Sequence, residues 1–264
     1  MLDTISKPQS EPVIMTITGD AGVGKTSLAA TFPKPIFIRA EDGLESLVGK
    51  NAPDAFPLVE DTDALWAQLA SLINEEHEYQ TCVIDSSSQL EVLFSDFVLA
   101  SDPKKPTTLA TANGGYGAGY LAVSALHGRV RKAAQLLRSK RGMNVVFIAH
   151  SDVATLELPD QDPYSKYELR LNKKCVSHYV DNVDAVAFVK LETFVKDSEK
   201  SRNAKALSTG ARVVVCYATA ANVSKNRYGI SEDIYFTEGV NPFVEFVPYL
   251  KKQLTVTTNK KAEK

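Results

Sequence analysis

The chain has 264 residues and a formal net charge of −2, with 44% hydrophobic and 23% charged residues. These values are typical of a soluble globular protein, and the length is sufficient for one large α/β domain. A charge so close to zero excludes a polycationic surface, so any binding of nucleic acid has to use a local patch.

Targeting and redox features limit the class further. The cysteines, Cys82, Cys175 and Cys216, are far apart without a C-x-x-C pair, which favours small buried hydrophobic side chains in a reducing compartment. The four histidines show no metal-ligand spacing. No run of about 18 apolar residues occurs, and the polar first residues with Pro8 are unlike a secretory signal. We therefore expect a cytoplasmic protein with no membrane partner.

A glycine-rich loop follows the first predicted strand, residues 13–18, and precedes a helix that begins near Ser27. This order is the context that the pattern G-x-x-x-x-G-K-[ST] requires, because backbone amides and the helix dipole then face a bound phosphate. Lys25 would reach the β- and γ-phosphates of ATP, and the Thr26 hydroxyl would bind Mg²⁺. The alternative is a chance glycine turn before a helix. The predicted nucleotide-binding residues are Gly19, Asp20, Ala21, Gly22, Val23, Gly24, Lys25, Thr26 and Ser27.

The rest of the chain alternates apolar strands with helices of 3.6-residue periodicity, which predicts an α/β fold: a mostly parallel central sheet with helices on both faces. Strands are predicted at 36–38, 81–85, 144–150, 184–191 and 212–218, and helices at 61–76, 86–100, 121–140 and 243–254. Connections are predicted at 101–120 and 197–210. A hairpin or a mobile loop is predicted at 153–174. Residues 1–12 are expected to form a flexible leader, 13–254 a single domain and 255–264 a disordered tail.

Polar residues stand at the ends of three predicted strands, where ligands of open α/β sheets bind. Asp85 would orient Mg²⁺ directly or through water, or it would simply cap the next helix. Glu41 would orient the water that attacks the γ-phosphate, or belong to a solvated turn. His150 would hydrogen-bond the γ-phosphate, or be a surface histidine. The spacing alone leaves the last two alternatives open.

Two cations, Lys225 and Arg227, precede Gly229 in the segment Lys-Asn-Arg-Tyr-Gly. Their positions suit side chains that reach the phosphates of a neighbouring subunit, where a cation stabilises transition-state charge. An ordinary basic turn has the same pattern.

The ordered set of phosphate loop, Glu41, Asp85, His150 and the Lys-Asn-Arg-Tyr-Gly segment resembles the RecA-like recombination ATPases. It is most similar to compact bacteriophage proteins of the single-strand annealing, Sak-type class, over residues 12–248. The resemblance implies a RecA-like P-loop NTPase fold and a catalytic role for Glu41. It also implies that Lys225 and Arg227 act across a subunit interface, as in RadA-type proteins and DnaB-type helicases. RecA itself has glutamine where this chain has His150.

The same resemblance implies partners. Two loops of that family contact single-stranded DNA, and their counterparts here are residues 104–120 and 153–174. Both contain cations with interleaved aromatic residues, which suit a phosphate track with stacking platforms, although ordinary flexible loops would look alike. The implied protein is a DNA-stimulated ATPase that promotes annealing in a host cytoplasm. It would form a ring or filament with ATP between subunits, with a single-strand DNA-binding protein as a further partner.

Two other functions fit the phosphate loop. One is a small-molecule P-loop kinase. Such kinases carry a lid with several arginines, whereas Arg202 is the single arginine of residues 198–205. The other is a nucleotide-switched replication or recombination accessory that binds ATP without hydrolysing it.

Overall fold

The structure is a computed structural model that describes residues 5–7, 9–49, 52–196 and 205–254. The tail predicted at 255–264 lies outside the described residues, as do residues 1–4 and 8 of the predicted leader and residues 197–204 of the predicted connection.

The described chain folds into alternating strands and helices. The strands are β1 (Ile14–Gly19), β2 (Pro35–Arg39), β3 (Asp54–Ala55), β4 (Thr81–Asp85), β5 (Asn144–Leu158), β6 (Gln161–Leu169), β7 (Ala185–Lys196), β8 (Lys205–Val215), β9 (Lys225–Asn226) and β10 (Ile234–Phe236). The helices are α1 (Lys25–Ala29), α2 (Thr62–Asn74), α3 (Ser87–Ser101), α4 (Ala118–Arg141) and α5 (Lys173–Val180), and residues 248–254 are also helical.

The strands form one mostly parallel sheet in the order β10-β8-β7-β1-β5-β4-β2-β3. All neighbours from β7 to β3 are parallel, whereas β8, β9 and β10 pair antiparallel. Because β5 lies between β1 and β4, the register places Gly19 beside His150 and Asp85 beside Ile148 at one edge. The carboxyl ends of these strands therefore meet, as the sequence predicts.

Apolar side chains fill both faces of the sheet. The helices α2 to α5 pack on one face through a cluster that includes Leu65, Phe94 and Leu126. On the other face, α1 packs through Leu28, and residues 243–250 pack through Phe243, Val247 and Leu250. Burial on both faces explains why the strands are continuous apolar runs. The predicted α/β fold with helices on both faces is confirmed.

Several predicted boundaries are wrong. Strand β5 continues past residue 150 to Leu158 and pairs with β6. The prediction of a hairpin at 153–174 is therefore correct up to Leu169. The last residues of that range begin helix α5, which was not predicted. Strand β8 begins at Lys205, inside the predicted connection, because it pairs with the end of β7. The last helix begins at residue 248 instead of 243, after turns in which the Asn241 side chain accepts the Phe243 amide.

A buried aspartate connects elements at the opposite, amino-terminal edge of the sheet. Asp184, with a side chain 5% exposed, accepts the Ile14 amide at 3.0 Å and pairs with Arg138 at 3.2 Å and Arg227 at 3.0 Å. A buried carboxylate is tolerated only when its oxygens are paired in this way. This contact therefore fixes the beginning of β1 against the beginning of β7.

We predict that Asp184→Ala lowers the free energy of unfolding by about 3 kcal/mol, because it leaves a buried amide and an arginine without an acceptor. Urea denaturation measures the change. The matched control is Glu245→Ala, which removes an exposed ion pair with Lys251 and should change stability by less than about 0.5 kcal/mol. Equal effects of the two substitutions would contradict the prediction.

Candidate functional site

The loop between β1 and α1 has a backbone with positive φ, which favours glycine, at three positions: Gly19, Gly22 and Gly24. A Cβ on Gly19 would lie 2.3 Å from the Val189 carbonyl oxygen, and Gly24 has φ of 96°. Such residues let successive amides line a concavity that accepts phosphate. Helix α1 has only five residues, so few aligned peptide units add their dipoles to the charge of Lys25 and the loop amides.

The Lys25 side chain lies in the centre of this concavity. It is 6% exposed, and its Nζ donates to the carbonyl oxygens of Gly19 at 3.0 Å and Asp20 at 2.7 Å. Burial lowers the pKa of Lys25, and the negative charges of Asp85 and Glu41 partly oppose that shift. A buried ammonium whose hydrogen bonds go to neutral carbonyls is stabilised by an anion, so this arrangement fits the phosphates of a nucleotide.

Thr26 and Asp85 contact each other beside Lys25. The Thr26 hydroxyl donates to Asp85 Oδ2 at 2.9 Å, and Asp85 is 3% exposed. Burial raises the pKa of Asp85 to about 6, with the Thr26 hydrogen bond opposing and the Glu41 charge adding to the rise. A hydroxyl and a carboxylate are the hard oxygen ligands that Mg²⁺ prefers, so the two residues fit a magnesium site.

Glu41 and His150 meet at the carboxyl ends of β2 and β5. Glu41 Oε1 lies 3.0 Å from His150 Nε2, and the amide of His150 donates to Ser88 Oγ. The hydrogen bond from His150 lowers the pKa of Glu41 despite partial burial, so the carboxylate is ionised at neutral pH. Both side chains line a cavity of about 360 Å³ that Lys25, Thr26 and Asp85 also line.

The structure brings an arginine to this cavity that the sequence reasoning assigned no role. Arg212 of β8 lines the cavity, and a Cβ built on Gly24 would lie 3.0 Å from its Nε. Residue 212 begins the predicted strand 212–218. Had this strand been assigned as antiparallel to β7, its beginning would have indicated the edge where the phosphate loop lies.

Lys225 and Arg227 lie away from the cavity. Strand β9 pairs with the beginning of β7, at the amino-terminal edge of the sheet. There Lys225 Nζ donates to the Asp181 carbonyl at 2.9 Å, and Arg227 pairs with Asp184. The structure therefore does not bring these cations to the phosphate loop of their own chain, and any action on a nucleotide requires a second copy.

The predicted DNA segments differ from each other. Residues 104–117 are mostly turns with the fully exposed Tyr116, and α4 begins at Ala118. The β5–β6 hairpin has an acidic tip, formed by Glu157, Asp160 and Asp162. The cations of the second segment lie instead away from the tip: Lys166 opposite Ala154 in the middle of the hairpin, Arg170 at its base, and Lys173 and Lys174 at the start of α5.

Ser151 connects the hairpin to the phosphate loop. Ser151 directly follows His150 in β5, and its hydroxyl donates to Asp20 Oδ1 at 2.6 Å. The base of the hairpin thus touches the phosphate loop through Asp20 and the acid Glu41 through His150.

The mostly parallel sheet, the phosphate loop and the acids Asp85 and Glu41 beside that loop together define an α/β P-loop NTPase. The model of the AAA domain family AAA_24 matches residues 11–228, and the chain belongs to this family. No curated protein matches the chain. Among solved structures, the crystal structure of the RadB recombinase is similar, with 14% identity and a TM-score of 0.46 over 87% of this chain and 90% of that chain. No helix in the described ranges is long and apolar enough to cross a membrane.

We predict that Asp85→Asn stabilises the protein at pH 8 without nucleotide or Mg²⁺. The pKa is about 6 when folded and 3.8 ordinarily, so folding disfavours the charged form. The wild-type penalty is complete above pH 6 and absent below about pH 4, which gives Asp85→Asn an advantage of about 1–3 kcal/mol at pH 8 that vanishes at pH 4.

Thermal unfolding in a chelator at several pH values measures this advantage. The control is Asp42→Asn, which changes an exposed carboxylate that lines the same cavity and should show no such pH dependence. An Asp85→Asn protein that is less stable than wild type at pH 8 would contradict the prediction.

Proposed function

We propose that the chain is a RecA-like ATPase that hydrolyses ATP in the cavity beside the phosphate loop. One observation carries the proposal: an ionised glutamate, held by His150, faces the same cavity as Lys25, Thr26 and Asp85. Nucleotide binding alone would need the loop, but not a paired carboxylate opposite it. Hydrolysis needs a group that orients or deprotonates water.

Each residue of the site has a role that follows from its chemistry. Lys25 and the loop amides bind the phosphates, and Thr26 with Asp85 holds Mg²⁺, partly through water. Bound Mg²⁺ supplies positive charge that neutralises the phosphate oxygens. Glu41 accepts a proton from the attacking water, and His150 keeps the Glu41 carboxylate in place. Arg212 adds a guanidinium whose fixed fork suits a phosphate.

Self-association is the second part of the proposal. Lys225 and Arg227 lie at the edge of the sheet opposite the phosphate loop. In a ring or filament in which the amino-terminal edge of one copy faces the cavity of the next, these cations would approach the nucleotide of the neighbour. ATP would then lie between subunits.

Single-stranded DNA is the proposed activator, in the annealing or recombination that the sequence resemblance implies. The cations at the base of the β5–β6 hairpin and the exposed Tyr116 suit a backbone track with a stacking platform. The acidic tip of the hairpin would repel phosphate, so the track runs along the base. The base contacts Asp20 and Glu41 through Ser151 and His150, which gives DNA a route to the catalytic carboxylate.

We predict that Glu41→Gln lowers steady-state ATP hydrolysis at least about 100-fold and leaves the Kd for ATP within a few-fold of wild type, because the amide keeps the shape but accepts no proton. Asp42→Asn is the matched control and should retain activity, since its side chain is exposed and pairs with Arg39. Unchanged hydrolysis in Glu41→Gln would remove the role of Glu41, whereas absence of hydrolysis in the wild-type protein would favour an accessory that binds nucleotide without turnover.

We predict that single-stranded DNA stimulates hydrolysis at low salt, and that the stimulation falls at moderate salt because phosphate contacts release counterions. Lys25→Ala should abolish hydrolysis with and without DNA. The double substitution Lys166→Ala/Lys173→Ala should raise the DNA concentration for half-maximal stimulation about tenfold. The charge-matched control Lys132→Ala/Lys140→Ala, on exposed positions of α4, should not. Equal effects of the two pairs would exclude the hairpin base as the DNA track.

A further inference from the structure

Three helices bring potential metal ligands together in the interior of the protein. Glu91 of α3, His127 of α4 and Cys175 of α5 each offer one ligand atom, and these atoms lie within 4.8 Å of one another. His127 and Cys175 are fully buried, and the Glu91 side chain is 21% exposed. The three residues are far apart in sequence, so no local spacing indicates the cluster.

The imidazole of His127 has one satisfied and one unsatisfied nitrogen. Its Nδ1 lies 2.6 Å from the Tyr179 hydroxyl oxygen, whereas its buried Nε2 has no hydrogen-bond partner and lies 3.8 Å from Glu91 Oε2. When Nδ1–H donates to Tyr179, the Nε2 lone pair faces the carboxylate, so two acceptors face each other. A buried acceptor without a partner, as Nε2 then is, is destabilising, and a cation between Nε2 and the carboxylate would satisfy it.

We propose that Glu91, His127 and Cys175 bind a Zn²⁺ ion between α3, α4 and α5. Zn²⁺ takes carboxylate oxygen, imidazole nitrogen and thiolate sulfur at about 2.0–2.3 Å, which sets tetrahedral ligand atoms about 3.3–3.8 Å apart. The separation of His127 Nε2 from Glu91 Oε2, 3.8 Å, lies at the upper end of this range, and all three ligand atoms lie within 4.8 Å of one another. Three protein ligands leave a fourth position for water.

The surroundings of the three ligands suit this role. The Tyr179 hydroxyl fixes the ring of His127, as partners of metal-bound histidines do. Both oxygens of Glu91 accept the Asn172 amide, at 2.9 and 2.8 Å, which orients the carboxylate. Asn172 caps the beginning of α5, close behind the hairpin. The ion would therefore tie the base of the hairpin to α3 and α4, and this assignment does not depend on ATP hydrolysis.

Donor chemistry separates this site from the phosphate loop. Thr26 and Asp85 offer only oxygen, which suits Mg²⁺, whereas a thiolate and an imidazole favour Zn²⁺ and exclude Mg²⁺. A metal ion whose absorption spectrum changes when it binds sulfur therefore distinguishes this site from the site at Thr26 and Asp85 in the same protein.

The test is titration of metal-free protein with Co²⁺ alone, followed by absorption spectroscopy without nucleotide. We expect a sulfur-to-cobalt charge-transfer band that saturates at about one Co²⁺ per chain and is bleached by one equivalent of Zn²⁺. Cys175→Ala should abolish the band. The matched control Cys216→Ala, which truncates another fully buried cysteine, should keep it.

His127→Gln and Glu91→Gln keep the thiol and provide a second route if Cys175→Ala does not fold. Each should weaken Co²⁺ binding at least about tenfold while nucleotide binding reports an intact fold. The wild-type titration is decisive without any variant, since absence of the charge-transfer band overturns the proposal. A band that persists in Cys175→Ala, or that disappears equally in Cys216→Ala, also overturns it.

Discussion

The arrangement of the candidate site depends on the parallel pairing of β5 between β1 and β4. This pairing sets Gly19 level with His150 and Asp85 beside Ile148, so the phosphate loop, His150 and Asp85 share one edge of the sheet. Strand β2, paired with β4, adds Glu41 two residues beyond its end. Side chains from four separate parts of the sequence then meet in one cavity.

The stability of this edge and the chemistry of the cavity oppose each other. Asp85 and Lys25 are buried, and burial alone would drive both toward their neutral forms. Their mutual attraction and the Thr26 hydroxyl recover part of that cost. The protein without nucleotide therefore carries an electrostatic penalty at the site, which the proposed binding of phosphate and Mg²⁺ would relieve; such penalties are a common reason for weak local stability at functional sites.

Much of the fold follows from the sequence because buried parallel strands are continuous apolar runs with polar residues at their ends. The strands that end at Asp85 and carry His150 are examples, and their side chains do meet. What the sequence did not indicate depends on antiparallel pairing. Arg212 reaches the phosphate loop only because β8 pairs antiparallel with β7, and Lys225 and Arg227 lie at the far edge because β9 pairs with the start of β7. The eight-residue helix α5 was missed because its polar, cationic beginning resembles a loop, while its buried Cys175 and Tyr179 face helices distant in sequence.

Strand β5 has different partners along its length: its first half pairs in parallel with β1 and β4 in the buried core, and its second half pairs antiparallel with β6 in the exposed hairpin, with His150 and Ser151 between them. The contacts of His150 with Glu41 and of Ser151 with Asp20 are therefore made by the same strand that forms the hairpin. Thermodynamic linkage then imposes a symmetry. If nucleotide changes the affinity of the hairpin for any ligand by some factor, that ligand changes the affinity for nucleotide by the same factor.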